Sequence, residues 1–284
     1  MRLGINTFLF TGEFTNESTA LFPRFSDWGF DSVEIALDNP AALDPVFVRD
    51  SLDRHQLVCG SVCGAMGPGR DLRGTPEDQQ TAFHYIRDCI DIMPILGARV
   101  LAGPLYSAVG RANPESGDAY RQQWKTVVKH LRELGAYAEQ KGVLLAIEPL
   151  NRYETDFINT CEQALNLLAD ANSPALRVHL DSYHMNIEEK FSEAAIRNAG
   201  NLLAHFHACG SDRGIPGNDH IEWDQITAAL KLVGYGGDIV IESFTPDVKI
   251  IAKAASIWRN IESSQEAIAV EGLAFLQERF SAPG

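Results

Sequence analysis

Four strand-like runs in the second half of the chain each end on a residue able to bind a metal: LLAIEP at Glu148, LRVHLD at Asp181, LAHFHA at His207 and DIVIES at Glu242. Each run is followed by a loop and a helical stretch. One acidic residue at a strand end is ordinarily a solvated loop residue or a helix cap. Four in succession are what a parallel barrel requires to bring its side chains onto one divalent ion, because such barrels build their active sites where the strands end. The pattern predicts a metal-dependent enzyme.

The rest of the chain supplies the matching rhythm. Candidate strands are Leu3–Phe8, Ser32–Leu37, Leu57–Val62, Arg99–Ala102, Val143–Glu148, Leu176–Asp181, Leu202–His207 and Asp238–Glu242. Several are short and almost wholly apolar, as expected of parallel strands covered on both faces. The clearest helical stretches are Glu77–Leu96, Ala119–Gln140, Cys161–Ala169, Ile187–Asn198 and Trp223–Leu232, with Gly29, Gly97, Gly142 and Gly236 in the turns after helices. Loops Gly64–Gly74 and Gly103–Pro114 fall on the active face, and Val248–Phe280 is long enough for two more helices, suited to packing or dimerisation. No linker or repeat divides the chain. Residues 1–284 therefore read as one (β/α)8 barrel domain of the α/β class with additional C-terminal helices, a fold that takes about 250 residues.

Composition narrows the partners. With 24 basic against 38 acidic residues, the net charge of −14 argues against nucleic acid and anionic membrane surfaces and suits a small neutral substrate. The five cysteines are odd in number, and none forms a two-residue-gap motif, so they read as reduced thiols of a cytoplasmic protein. MRLGINTFLF lacks the pattern of an export signal, and no apolar run reaches membrane-spanning length.

Alternate residues of a strand share a face, so Glu148 points with Ala146, Asp181 with His179, His207 with His205 and Glu242 with Val240. Each expected ligand comes last, at the rim. Two glutamates, an aspartate and a histidine make a mostly oxygen shell, which suits Mn²⁺ first, with Mg²⁺ and Co²⁺ as alternatives, over a sulfur-rich zinc site. His179 and His205 read as hydrogen-bonded core histidines. Glu34 fits a contact behind the site or with substrate at the end of the second strand, or equally a polar layer inside the barrel. Phe8, Trp28, Tyr106, Trp223, Phe244 and Trp258 read as core, with Phe8 and Phe244 placed to form an apolar wall; Cys59 and Cys63 line the pocket or pack, without a nucleophilic role.

The segments IEPLNRYET, HLDSYHMNIEE, HFHACGSDRGIPG and VIESF resemble those of the ketose 3-epimerases, the D-tagatose and D-allulose (psicose) group within the xylose isomerase-like barrels. The likeness is strongest over the second half of the chain. It implies that Glu148, Asp181, His207 and Glu242 are the metal ligands and that Glu154, His184 and Arg213 contact substrate oxygens. It also implies a homodimer or homotetramer. The chain departs from the family pattern in the seventh loop, with Cys209-Gly210 where Gly-Glu is usual and Asp219 where a glycine usually follows Pro-Gly. Those differences fall on the substrate side.

The reaction implied is removal of the proton on C3 of a free ketose and its return to the opposite face through a cis-enediolate, with Glu148 and Glu242 as acid and base. His184 and Arg213 then donate to O2, and Glu154 holds the terminal hydroxyl end. The missing phosphate-binding glycine motif favours a free sugar. The same barrel suits an aldose–ketose isomerase or a keto-polyol dehydratase, both of which begin by abstracting a proton beside a carbonyl. A DNA-repair endonuclease would need a basic face, and a ligand-binding barrel gives no reason for four ligands at one rim.

Overall fold

The computed structural model describes residues 1–113 and 115–280. Eight parallel strands close on themselves in sequence order: β1 Leu3–Asn6, β2 Ser32–Leu37, β3 Val58–Gly64, β4 Val100–Gly103, β5 Leu144–Ile147, β6 Leu176–Asp181, β7 Leu203–Ala208 and β8 Ile239–Ile241. Closure is made by β1 on β8, with Ile5 opposite Ile241. The helices are α1 Phe22–Trp28, α2 Pro45–Arg54, α3 Pro76–Leu96, α4 Gly117–Lys141, α5 Cys161–Ala171, α6 Ser182–Glu188, α7 Ser192–Ala199, α8 Trp223–Leu232, α9 Lys249–Ala254 and α10 Gln265–Phe280.

Strand composition explains the closure. Val33, Ile35, Val62, Leu101, Leu145, Val178, Phe206 and Ile241 are fully buried between strands and helices. Such residues leave no face for water, which an open sheet would present. Helix starts are set by local side chains: Thr75 and Asp78 form a reciprocal cap on α3, and Thr160 and Gln163 do the same on α5. Gly29, Gly97 and Gly142 end α1, α3 and α4 in the left-handed conformation.

Several expectations change. Gly236 caps nothing: α8 ends at Val233, and Gly234 takes the positive φ of +67°. The single helix expected over Ile187–Asn198 is two, α6 and α7, because Glu189 turns extended and its carboxylate accepts the Cys161 amide at 2.7 Å, bonding to the first turn of α5. Phe8 lies past β1 in a 3-10 turn, Thr7–Leu9, capped by Asn6. Helices α1 and α2 are not among the clearest helical stretches of the sequence, although Gly29 marks the end of α1 as expected. Trp258 is 74% exposed rather than core. Of the two C-terminal helices, α10 packs against β1 and β8 and fills the eighth place in the helical ring. The other, α9, lies at the strand-end rim. The Pro114 end of the expected loop Gly103–Pro114 lies outside the described residues.

Three loops of the active face are clamped together by Arg73, whose side chain is fully buried. It donates to Ser107 Oγ at 2.9 Å, Gln123 Oε1 at 3.1 Å and the Arg111 carbonyl at 3.0 Å, and pairs with Asp156. Arg111 in turn pairs with Asp71 at 2.7 Å, and the Gly110 amide donates to the Glu154 carbonyl at 2.8 Å. The loops after β3, β4 and β5 thus move as one body. Removing one partner of a buried charged network costs about 3 kcal/mol. Arg73→Met should therefore lower the urea midpoint by an amount equivalent to about 3 kcal/mol with an unchanged m value.

Candidate active site and metal centre

One ligand atom each from Glu148, Asp181, His207 and Glu242 can be chosen so that all four lie within 4.8 Å of one another. Strands β5 and β8 deliver their glutamates one residue past the last paired position, β6 ends on Asp181, and β7 carries His207 one residue before its end. All four side chains are buried.

Burial and repulsion from Glu242 push the Glu148 carboxyl well above the usual carboxylate range. Burial also raises Asp181, against the attraction of Arg213. Glu242 goes the other way, because His207 and Arg213 outweigh the penalty of burial and hold it below its ordinary value. His207 is held well above the imidazole range, since Glu34 and Glu242 overcome the effect of burial.

This set fits a divalent cation. Three carboxylates and one imidazole provide hard oxygen donors plus a borderline nitrogen. Glu148 Oε1 and His207 Nδ1 are buried and have no hydrogen-bond partner among the described residues. Orphaned buried acceptors are costly unless something else satisfies them.

The substrate-side residues gather at the same place. Arg213 Nη1 donates to Asp181 Oδ2 at 2.7 Å and to Glu242 Oε2 at 3.2 Å, and its guanidinium lies between the rings of Tyr183 and Phe244, 4.0 and 4.8 Å from their centroids. His184 Nδ1 accepts the Asn151 amide at 3.0 Å, so the proton of the neutral ring sits on Nε2. That Nε2 is 3.1 Å from Arg213 Nη2, which places two donors side by side. Burial, Arg213 and His207 hold His184 well below its usual range, so the ring stays neutral. Two such donors call for a shared oxygen acceptor. Glu154 Oε1 accepts from Asn151 Nδ2 at 2.7 Å, and burial raises its carboxyl.

These groups open into a cavity of about 610 Å³ lined by Glu148, Glu242, His184, Arg213 and Glu154, with Phe8, Cys63, Met66, Leu150 and Phe244 as apolar walls and Ile250, Ile251, Ala254 and Ala255 of the α9 segment on its outer side. Of the two thiols near β3, only Cys63 lines this cavity. Burial lifts Cys59 to about 12 and Cys63 well above its ordinary value, so neither is a nucleophile. His179 differs from expectation: both its nitrogens are buried without hydrogen-bond partners among the described residues, Nδ1 lying 3.5 Å from Glu148 Oε2, and the ring packs edge-on against His205 and His207 at 4.8 and 4.1 Å between centroids. His205 Nε2 lies 2.6 Å from Glu34 Oε2, a close contact whose geometry falls short of a hydrogen bond.

Sequence reasoning missed Asn6, Ser61 and Asn151, which hold Glu34, Glu154 and His184 in place. Asn151 lay within the IEPLNRYET segment, where its neighbours drew the attention. Asn6 and Ser61 carried no signal, being common polar residues inside apolar strands.

Residues 22–279 match the family model described as xylose isomerase-like TIM barrel. A probable ketose 3-epimerase of Synechocystis sp. is 31% identical over 99% of this chain and 97% of its own length. An L-ribulose 3-epimerase of Methylomonas sp. is 31% identical over 89% of this chain and 88% of its own. A crystal structure of D-allulose 3-epimerase from Methylomonas sp. in complex with D-allulose superposes with a TM-score of 0.92 at 28% identity, covering 99% of this chain and 97% of that one. The chain belongs to the ketose 3-epimerase family of xylose isomerase-like TIM barrels. It is an enzyme of the isomerase class.

A cation binding here competes with protons for Glu148 and His207, both of which hold them more tightly than usual. Falling pH therefore favours the proton, and competition sets in at a higher pH than for an ordinary carboxylate or imidazole. Mn²⁺ at about 100 times its Kd should raise Tm by about 5–10 °C at pH 8, since occupancy at that excess stabilises by about 2.7 kcal/mol. Differential scanning calorimetry should show this gain shrinking steadily as the pH is lowered.

Proposed function

We propose that this enzyme epimerises a free ketose at C3, with Glu242 and Glu148 exchanging the proton and Mn²⁺ as the resident cation. The supporting observation is geometric: Glu148 and Glu242 line one cavity with carboxylate oxygens within 4.8 Å of each other, beside the neighbouring His184 Nε2 and Arg213 Nη2 donors. Two carboxyls facing one reacting carbon can serve as its base and its acid. Glu148, Asp181, His207 and Glu242 would hold the divalent cation, which would supply Lewis acidity to the reaction.

The chain's own groups do the rest. Ionised Glu242 takes the proton from C3, and the electron pair moves toward O2 to give the cis-enediolate. His184 Nε2–H and the Arg213 guanidinium donate to O2 as its charge grows, which is where preorganised donors lower a barrier most. Protonated Glu148 delivers its proton to the opposite face of C3. The two carboxyls then stand in exchanged states, ready for the reverse reaction or for re-equilibration with water. Glu154, held by Asn151, accepts from hydroxyls at the far end of the sugar.

The outer cavity supports an unphosphorylated substrate. Asp38, Glu77 and Asp78 line it with a single basic residue, Arg70, which is already bonded to Asp38 at 2.8 Å and to the Ala65 carbonyl at 2.7 Å. The five free cysteines suit a reducing compartment, the cytoplasm under this reading, and the family resemblance favours a dimer or tetramer.

Glu148→Gln or Glu242→Gln should cut exchange of the C3 proton with solvent deuterium by about 10²–10⁴-fold while a ketose still binds measurably. Wild-type exchange rates in both variants would remove the two-base scheme. A panel of free ketoses with Mn²⁺, followed by chromatography, should yield the C3 epimer rather than an aldose or a dehydrated product. The 6-phosphate of the best ketose should show a kcat/KM at least about tenfold lower, reflecting like charge at the rim.

A further inference from the structure

Glu34 is fully buried in the third position of β2, directly opposite Asn6 on β1 and Ser61 on β3. Its Oε1 accepts from Asn6 Nδ2 at 2.7 Å and lies 2.7 Å from His207 Nε2. Its Oε2 accepts from Ser61 Oγ at 2.6 Å. We infer that Glu34 is the positioning residue of the metal centre, setting the tautomer of His207 and the orientation of Glu242. This rests on the proposed metal-dependent function and adds a residue that none of the four expected ligands includes.

The first link is a matter of donors and acceptors. A carboxylate surrounded by Asn6, Ser61 and His207 accepts only, so His207 must carry a proton on Nε2. The lone pair of a neutral ring is then on Nδ1, which is buried, has no hydrogen-bond partner among the described residues and lies 3.3 Å from Glu242 Oε2. Metal-binding histidines are generally oriented in this way by a carboxylate behind them. The second link runs through Asn6. Its Nδ2 donates both to Glu34 Oε1 at 2.7 Å and to Glu242 Oε1 at 3.0 Å, leaving Glu242 Oε2 turned toward His207 Nδ1. One carboxylate on β2 therefore braces two of the four ligands, carried by the neighbouring strands β7 and β8 across the β1–β8 seam.

A merely structural Glu34 would neutralise a buried polar layer and nothing more. The distinction can be measured without turnover. Glu34→Gln keeps the shape but removes the charge and leaves one acceptor oxygen where there were two, so the His207 Nε2 proton loses the carboxylate that fixes it. Isothermal titration with Mn²⁺ should show a Kd about 10–100-fold weaker than wild type, and the visible absorption of the Co²⁺ form should change in position and intensity. Ser61→Ala removes a donor to the same carboxylate without touching the tautomer, and its Kd should stay within about threefold of wild type. A Glu34→Gln protein that folds by circular dichroism and binds Mn²⁺ as tightly as wild type overturns the inference and leaves the proposed function standing. Equal weakening in Ser61→Ala also overturns it, since the effect would then follow burial rather than tautomer. A wild-type protein that binds no divalent ion overturns both readings together. Should Glu34→Gln fail to fold, ¹⁵N–¹H spectra of ¹⁵N-histidine-labelled wild type with Mg²⁺, assigned by loss of a signal in His207→Asn, decide the matter. A proton on His207 Nε2 is expected, and a proton on Nδ1 refutes it.

Discussion

Three buried carboxylates brought within reach of one another repel, and the rim of this barrel is arranged around containing that repulsion. Glu148, Asp181 and Glu242 are each almost fully removed from water. Arg213 sits on two of them, bonding Asp181 and Glu242 through a single nitrogen. It does so from a left-handed backbone conformation, φ +68°, uncommon for a residue with a side chain. Its amide is tied to the Gly210 carbonyl at 3.0 Å, which holds the turn. Strain of this kind persists where surrounding bonds over-determine it, and it gathers at functional sites. A cation drawing on Asp181 and Glu242 shares them with the guanidinium, so the Arg213 donors and the ion act on the same region of the cavity.

Rigidity has been placed where the chemistry needs it. Behind the ligands, Glu34 and Asn6 form a bonded layer that joins β1, β2, β7 and β8. In front, Asn151 couples the loop after β5 to His184 and Glu154 together. Farther out, Arg73 fastens that loop to its two neighbours. Glu242, Asp181 and His184 are thus each held by polar contacts from at least one other strand or loop, and Glu154 by Asn151 of its own loop. The outer wall formed by the α9 segment is apolar instead, with Ile251 and Ala255 packed against the cluster of Phe8 and Phe244. Apolar contact is tolerant of shape, in contrast to the polar contacts behind the site.

The barrel was legible because its strands are apolar runs of fixed length separated by strong helix periodicity, and Ser32–Leu37 and Leu176–Asp181 were read to the residue. Helices α1 and α2 were not, since FPRFSDW is a short stretch dense in aromatics and PVFVRDSLDR exposes Val46 and Phe47, which blurs the apolar face. The cluster of Glu148, Asp181, His207 and Glu242 was visible because each member lies within one residue of a strand end, so that position along the chain translates into height in the barrel. Glu34 reads ambiguously for the opposite reason. It lies mid-strand, and only the closure of β2 against β1 and β3 brings it beneath His207. Partners supplied by lateral pairing leave no trace in local sequence.

The seventh loop shows how a departure from a family pattern can be sorted by geometry. Asp219 accepts from the amides of Gly217 and Ile221, at 3.1 and 2.7 Å, and from Trp223 Nε1. It organises the turn leading into α8 and is not part of the cavity wall. Gly210 is different. A Cβ added there would meet the carbonyl oxygens of Gly214 and Ile215, each at 3.0 Å, so this backbone leaves no room for a glutamate without moving the loop. The adjacent Cys209 places its sulfur 3.5 Å from Arg213 Nη1. Burial pushes that thiol well above its ordinary value, so it stays neutral and withdraws no charge from the guanidinium. A carboxylate at this turn would give Arg213 another anionic neighbour. Its absence from the sequence leaves Asp181 and Glu242 as the acidic groups bonded to Arg213 among the described residues, and the donors of Arg213 are correspondingly more available to a substrate oxygen.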